Sequence, residues 1–277
     1  MESVDKSKLK EKISFCNAVN SGIKDGIGNE TENLDVSPDA KEHVIWKLYR
    51  VNLPDNKTFK LLGSDIEYQI VHTKMREEGR SLVVVPGYSD KSICWTMGEM
   101  NRYLTTMPEC FSKFSDMYLI NLENVKKIQE ANKDKRDQLD AEIAIHLDKI
   151  LRTLKLKDIS LLGRSAGGGQ CIHIAKLSAE NDDYVKALNL ACPGYKKDGI
   201  MDFIEARLEK PIPLRFCWAI EDTTVPIHQG YQMKQQLIDS GYIKQGANLL
   251  KFVEISTNSD KPAINHRVHK ELIYMLE

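Results

Sequence analysis

From residue 57 onward, short unbroken apolar runs alternate with stretches whose apolar positions recur at helical spacing. Leu82-Val83-Val84-Val85, ended by Pro86-Gly87, reads as a strand covered on both faces. Residues 117–122, 159–163, 184–191, 214–220 and 249–255 read the same way. Between them lie helical patterns at 99–107 (stopped by Pro108), 139–154, 166–179, 201–208, 228–239 and 267–276. The firmest is 139–154, where Leu139, Ile143, Ile145, Leu147, Ile150, Leu151 and Leu154 recur at largely helical spacing. Upstream, residues 58–62, a Gly63-Ser64 turn and 66–73 predict a hairpin. Strands alternating with helices predict an α/β fold, a doubly wound and mostly parallel sheet with helices on both faces. In such sheets ligands sit outside the carboxyl ends of the strands.

The first 40 residues follow a different pattern. They are polar and loop-like, with Leu9, Ile13 and Cys16 the stripe of one short helix in residues 5–19. They are too few for a core of their own and predict an N-terminal arm on one domain spanning 41–277. Ser37-Pro38-Asp39 suits a helix start, while 44–53, rich in Val, Ile, Trp and Tyr, suits a strand equally well. Residues 123–137 read as a charged connection.

Composition narrows the class. Hydrophobic content of 42% and charged content of 29% fit a globular protein, and 277 residues can bury a sizeable core. A net charge of −1 gives no basic surface for nucleic acid or for a membrane. No run reaches the roughly 18 apolar residues of a membrane span, and residues 1–6 do not open a signal peptide. A cytoplasmic protein is therefore expected. The six cysteines form no CxxC pair, which predicts reduced thiols and no zinc site. There is no P-loop motif, and no cofactor is expected.

The chemistry-bearing stretch is 159–174, where Gly163-Arg164-Ser165-Ala166-Gly167 joins a strand to a helix. A strand that bends this sharply into a helix must hold the turning residue in a strained conformation, side chain lifted clear of the sheet. Gly163 and Gly167 remove the Cβ atoms that would collide there. Ser165 then presents its hydroxyl, and the Ala166 amide faces the same space at a helix N-terminus.

A serine hydroxyl is a poor nucleophile without a base, and the base needs a group that fixes its tautomer. Of seven histidines, His266 has the best position, after the last strand and at the start of the closing helix, with His269 second. Asp222 ends a strand and precedes Thr223-Thr224-Val225-Pro226, and its rivals are Glu221, Asp198 and Asp260. The order Ser165, Asp222, His266 is that of the α/β-hydrolase arrangement. For an oxyanion, the Ala166 amide is one donor. The Tyr88 amide, in the loop 86–90, is the preferred second.

With these stretches in place the chain from about residue 57 resembles the α/β-hydrolase fold superfamily. Pro86-Gly87-Tyr88-Ser89-Asp90, Gly163 to Gly168, Asp222 to Pro226 and Asn265-His266 carry the resemblance. It implies that Ser165 attacks an acyl carbonyl, His266 relays the proton and Asp222 orients His266, through an acyl-enzyme. It implies a small-molecule acyl substrate, an ester or thioester. Alternatives are a C–C hydrolase or acyltransferase with the same triad, or a fold relative that binds a ligand without turnover. It also implies a lid, here only a small one at about 193–212. Two departures stand out: Pro86-Gly87 where His-Gly is common, and Asn265 where glycine usually precedes the histidine.

Overall fold

The computed structural model describes residues 33–35, 45–50, 59–66, 68–88, 92–122, 125–194, 197–243 and 248–276. The strands are β1 (Asn33–Asp35), β2 (Ile45–Arg50), β3 (Phe59–Leu61), β4 (Ser64–Ile66), β5 (Tyr68–Lys74), β6 (Arg80–Val85), β7 (Phe114–Leu122), β8 (Ile159–Arg164), β9 (Val185–Ala191), β10 (Leu214–Ala219) and β11 (Leu250–Ile255). The helices are α1 (Ser92–Thr106), α2 (Val125–Ala131), α3 (Arg136–Thr153), α4 (Ala166–Glu180), α5 (Lys197–Arg207), α6 (Ile227–Asp239), α7 (Pro262–Asn265) and α8 (Lys270–Ile273).

Among the described residues nine strands form one sheet in the order β1-β2-β5-β7-β6-β8-β9-β10-β11, and β3 and β4 form a separate hairpin. The pairs from β7 to β11 are parallel, and those from β1 to β7 are antiparallel. This is the doubly wound, mostly parallel α/β sheet that the apolar runs predict.

Those runs are continuous because each strand is covered twice. Leu82, Val84 and Leu162 face the core formed with Met97, Met100 and Tyr103 of α1 and with Leu272 and Ile273 of α8. Val83, Val85 and Leu161 face the opposite way. They meet Leu139, Ile143 and Leu147 of α3, Ile172 of α4, and Phe203 of α5. Alternation along one strand thus fills two cores.

The structure departs from the sequence pattern in four places. Residues 45–50 are strand, which settles the ambiguity of 44–53, while the possible helix in 5–19 and the helix start at 37–39 lie outside the described residues. A stretch of the polar arm, Asn33–Asp35, pairs antiparallel with β2. The charged connection holds α2, where Val125 is buried and Ile128 packs against the core. Two apolar contacts one turn apart suffice there, too few to stand out among the charges. Finally, the closing helix expected at 267–276 is reduced to the single turn α8, and another single turn, α7, precedes it. His266 caps the end of α7 instead of opening a helix. In the hairpin, Leu62 (φ 49°) and Gly63 (φ 84°) both lie in the left-handed region, as a type I′ turn requires.

The segment 193–212 that the resemblance assigns to a lid is α5 and its flanks. Ile200, Phe203 and Ile204 are buried in the core, and Met201 and Leu208 are exposed. Arg207 is fully buried. Its Nε and Nη2 donate to the Ala175 carbonyl at 3.0 and 2.9 Å, and Nη1 pairs with Asp183. Removing a buried ionic partner leaves the other groups without compensation. Arg207→Ala is expected to destabilise the fold by about 3 kcal/mol, read as a lower urea midpoint. No helix among the described residues is long and apolar enough to cross a membrane.

Candidate active site

The candidate site lies at the carboxyl edge of the parallel strands, built around the turn from β8 into α4. Ser165 has φ 54° and ψ −128°, the strained conformation expected of a side chain raised above the sheet. The turn is closed by the Ser165 amide donating to the Ala191 carbonyl at 3.1 Å. The Ser165 carbonyl accepts from Gly194 at 2.8 Å and Gly168 at 2.9 Å. The two motif glycines are sterically required. A Cβ on Gly167 would stand 2.2 Å from the Val85 carbonyl oxygen, and one on Gly163 would stand 2.7 Å from the Cys171 sulfur. The bend therefore works only because both positions lack a side chain.

Ala166 is the first residue of α4, so its N–H has no acceptor inside the helix and faces the turn. The loop after β6 passes beside the serine: a Cβ built on Gly87 would lie 3.1 Å from Ser165 Cβ and 3.6 Å from its Oγ. Tyr88 follows directly. Its hydroxyl donates to Asp140 of α3 and accepts from Gln170 Nε2 of α4 at 2.5 Å. Two helices thereby fix the course of this loop next to Ser165.

Asp222 and His266, 44 residues apart, are brought into contact. His266 Nδ1 lies 2.7 Å from Asp222 Oδ2. Asp222 is only 3% exposed, and its Oδ1 accepts from the amides of Thr224 at 2.8 Å and Val225 at 3.1 Å. Burial pushes the Asp222 carboxyl up. The hydrogen bonds from His266, the Cys192 thiol and the Val225 amide outweigh it and hold the group below the usual carboxylate range. With an anionic acceptor at Nδ1, the neutral imidazole carries its proton there and leaves Nε2 as the basic nitrogen.

Nε2 is buried and has no hydrogen-bond partner among the described residues. No hydrogen bond joins it to Ser165 Oγ. The serine and the Asp222–His266 pair are linked instead through the end of β9. Ala191 and Gly194 hold the Ser165 backbone, and between them the Cys192 thiol lies beside Asp222 and His266.

The rivals are placed elsewhere. The Glu221 carboxylate accepts from Ser256 Oγ at 2.6 Å and the Thr257 amide at 3.0 Å, which pull its pKa down to about 2. Both Glu221 and Asp222 lie past the end of β10, where strand alternation no longer applies, and these bonds hold the Glu221 carboxylate against the loop after β11. His269 Nε2 sits 3.3 Å from the Asn265 carbonyl.

Cys192, Asp222 and His266 each offer an atom within 4.8 Å of the others, the geometry of a small metal-ligand set. Burial, reinforced by the Asp222 charge, pushes the Cys192 thiol far up, so it stays protonated. Nδ1 is already engaged with Asp222. These donors satisfy one another, which makes the set a poor fit for a metal. Beside β8, Glu99 is 8% exposed, lies 3.6 Å from Arg164 Nη1, and hydrogen-bonds through neither oxygen among the described residues. Burial raises its pKa, and Arg164, Arg267 and Arg102 oppose that.

Two groups at this site went unassigned in the sequence, Cys192 and Asn265. The signal for Cys192 was its place at a strand end before Pro193-Gly194. Asn265 stood out only as a departure from glycine.

No protein-family model matches the chain, and no curated protein matches it. Solved structures do. A CIB-like hydrolase from Thermoplasma acidophilum is 15% identical at a TM-score of 0.46, over 72% of this chain and 86% of that one. The mouse alpha/beta hydrolase domain-containing protein 10 is 13% identical at 0.46, over 83% and 94%. A dienelactone hydrolase from Anabaena variabilis is 14% identical at 0.43, over 76% and 87%.

Proposed function

Because the parallel sheet and its serine-bearing strand-to-helix turn give this chain the α/β-hydrolase fold, we propose that it is a serine hydrolase acting on a small ester or thioester. The observation that supports this most directly is the contact of His266 with the buried Asp222 carboxylate. It leaves Nε2 without a partner at the same sheet edge as the strained Ser165.

The proposed steps use groups of the chain alone. His266 Nε2 takes the Ser165 hydroxyl proton as Oγ bonds to the acyl carbon, and Asp222 stabilises the imidazolium. The carbonyl oxygen gains negative charge and is received by the Ala166 and Tyr88 amides. Collapse breaks the bond to the leaving alkoxide or thiolate, which takes the proton from Nε2 and departs. Water then gives a proton to Nε2 and attacks the acyl-serine, and the reverse transfer frees the acid and restores the hydroxyl. No hydrogen bond joins Ser165 Oγ to His266 Nε2 in the structure. Such bonds commonly tighten only in the substrate complex.

The test is labelling of the native chain by a fluorophosphonate probe, followed by p-nitrophenyl esters and acyl thioesters of graded length. Covalent labelling with turnover of either class is expected. A chain that binds these acyl compounds reversibly but is never labelled is a ligand-binding relative of the fold, and the hydrolase reading is lost.

A further inference from the structure

The departure from glycine before His266 has a structural use. His266 ends α7, a single turn of four residues whose own bonds include Asn265 N to Lys261 O at 3.2 Å and His266 N to Pro262 O at 2.9 Å. One turn of helix does not hold itself. The direction of the imidazole must be set by ties to other parts of the fold.

Asn265 supplies them. It is 2% exposed, and both of its amide N–H groups and its Oδ1 are engaged. Nδ2 donates to the Glu221 carbonyl at 3.1 Å and to the Ser259 carbonyl at 2.8 Å, and Oδ1 accepts from the Thr257 hydroxyl. The partners fix which atom is which: two carbonyls can only accept, so the NH₂ group faces them. The Asn265 carbonyl in turn accepts from His269 Nε2 at 3.3 Å. Glu221 is the residue before Asp222, and Asn265 is the residue before His266. One side-chain amide therefore joins the backbones that carry the acid and the base. On the far side, Glu221 and its carboxylate bind Ser256 and Thr257, which closes the loop after β11 onto the same point.

We propose that Asn265 is a positioning residue, setting the separation and angle of Asp222 and His266 through its bond to the Glu221 carbonyl. The inference rests on the serine-hydrolase reading for its catalytic consequence, but not for its structural content. Glycine or alanine there removes the donor from the Glu221 and Ser259 carbonyls and, with it, the tie between the segments that carry Asp222 and His266.

The test compares Asn265→Ala, Thr257→Val and Thr257→Ser with the native chain by three readouts. These are kcat and KM on one chromogenic ester, the low-field proton resonance of His266 Nδ1–H, and the urea midpoint. A misplacement of about 1 Å costs roughly a hundred-fold in rate. Asn265→Ala is expected to lose about that factor in kcat with KM nearly unchanged, and to lose the low-field resonance while still folded. Thr257→Val, nearly isosteric, keeps the test open if Asn265→Ala fails to fold. Its kcat falls less, and Thr257→Ser recovers most of the loss. A kcat within two-fold of native and an unchanged resonance in both Asn265→Ala and Thr257→Val overturn the proposal, as does the absence of the resonance from the native chain. If the native chain shows the resonance and Asn265→Ala loses it, yet the native chain neither labels nor turns over, positioning stands and the hydrolase reading fails.

Discussion

Ser165→Ala is expected to abolish fluorophosphonate labelling and to lower kcat on the best ester by about a million-fold. The residual rate comes from the amides and from binding alone, since the imidazole then has no hydroxyl to activate. The substitution is also informative about the fold. At φ 54° and ψ −128° any side chain is strained, so alanine keeps the strain and leaves the melting temperature nearly unchanged. Ser165→Gly removes the chemistry and the strain together and is expected to stabilise the protein by about 1 kcal/mol. The pair separates two reasons for inactivity. An alanine variant that is inactive and unfolded says nothing of catalysis, whereas one that is inactive, folded and less stable than the glycine variant identifies a residue held under strain. If Ser165→Ala keeps a tenth of the native rate, the nucleophile lies elsewhere.

How much of this was legible in the sequence depends on the range of the interaction. The turn at Ser165 is a local steric problem, so its solution is written within five residues: Gly163 and Gly167 stand where a Cβ would meet Cys171 and the Val85 carbonyl. The strands were equally legible, because burial on both faces forces continuous apolar runs. Strand alternation would have parted Asp222 from Glu221 had the strand run on, but β10 stops at Ala219, and bonds to different loops part their carboxylates instead. Elements held by few contacts were not legible. In α2 the apolar contacts to the core come from Val125 and Ile128, and α7 and α8 are single turns separated around His266. Their shape is set by side chains that bond to remote backbone. Asn265 binds the carbonyl of Glu221, 44 residues earlier, and no local pattern encodes such a bond. For the same reason nothing in the sequence singled out Cys192 among the six cysteines. Its placement beside Asp222 and His266 comes from a β9 end with φ 42°, visible only when the neighbouring strands are assembled.

Asp222→Asn tests the other half of the site, and its effect follows from which atom donates. In the proposed mechanism Oδ2, 2.7 Å from Nδ1, accepts the Nδ1 proton, and Nε2 takes the proton of Ser165. An asparagine can keep the bonds from Thr224 and Val225 on its Oδ1, which turns its NH₂ toward Nδ1. The imidazole must then accept at Nδ1 and carry its proton on Nε2, the tautomer that cannot act as the base. A loss of about 10⁴-fold in kcat/KM is expected at neutral pH, with the geometry intact. The same substitution changes acid stability, and the sign follows from the native carboxyl lying below its usual range. A depressed pKa contributes stability that is complete above the unfolded value of about 4 and is lost as pH falls through the folded value. Native protein should therefore lose urea stability more steeply below about pH 4 than the asparagine variant, while the two run parallel from pH 5 to 7. If the acid limbs coincide, Asp222 is not the carboxylate held by His266. If kcat/KM stays within ten-fold of native, the imidazole does not need it to choose a tautomer.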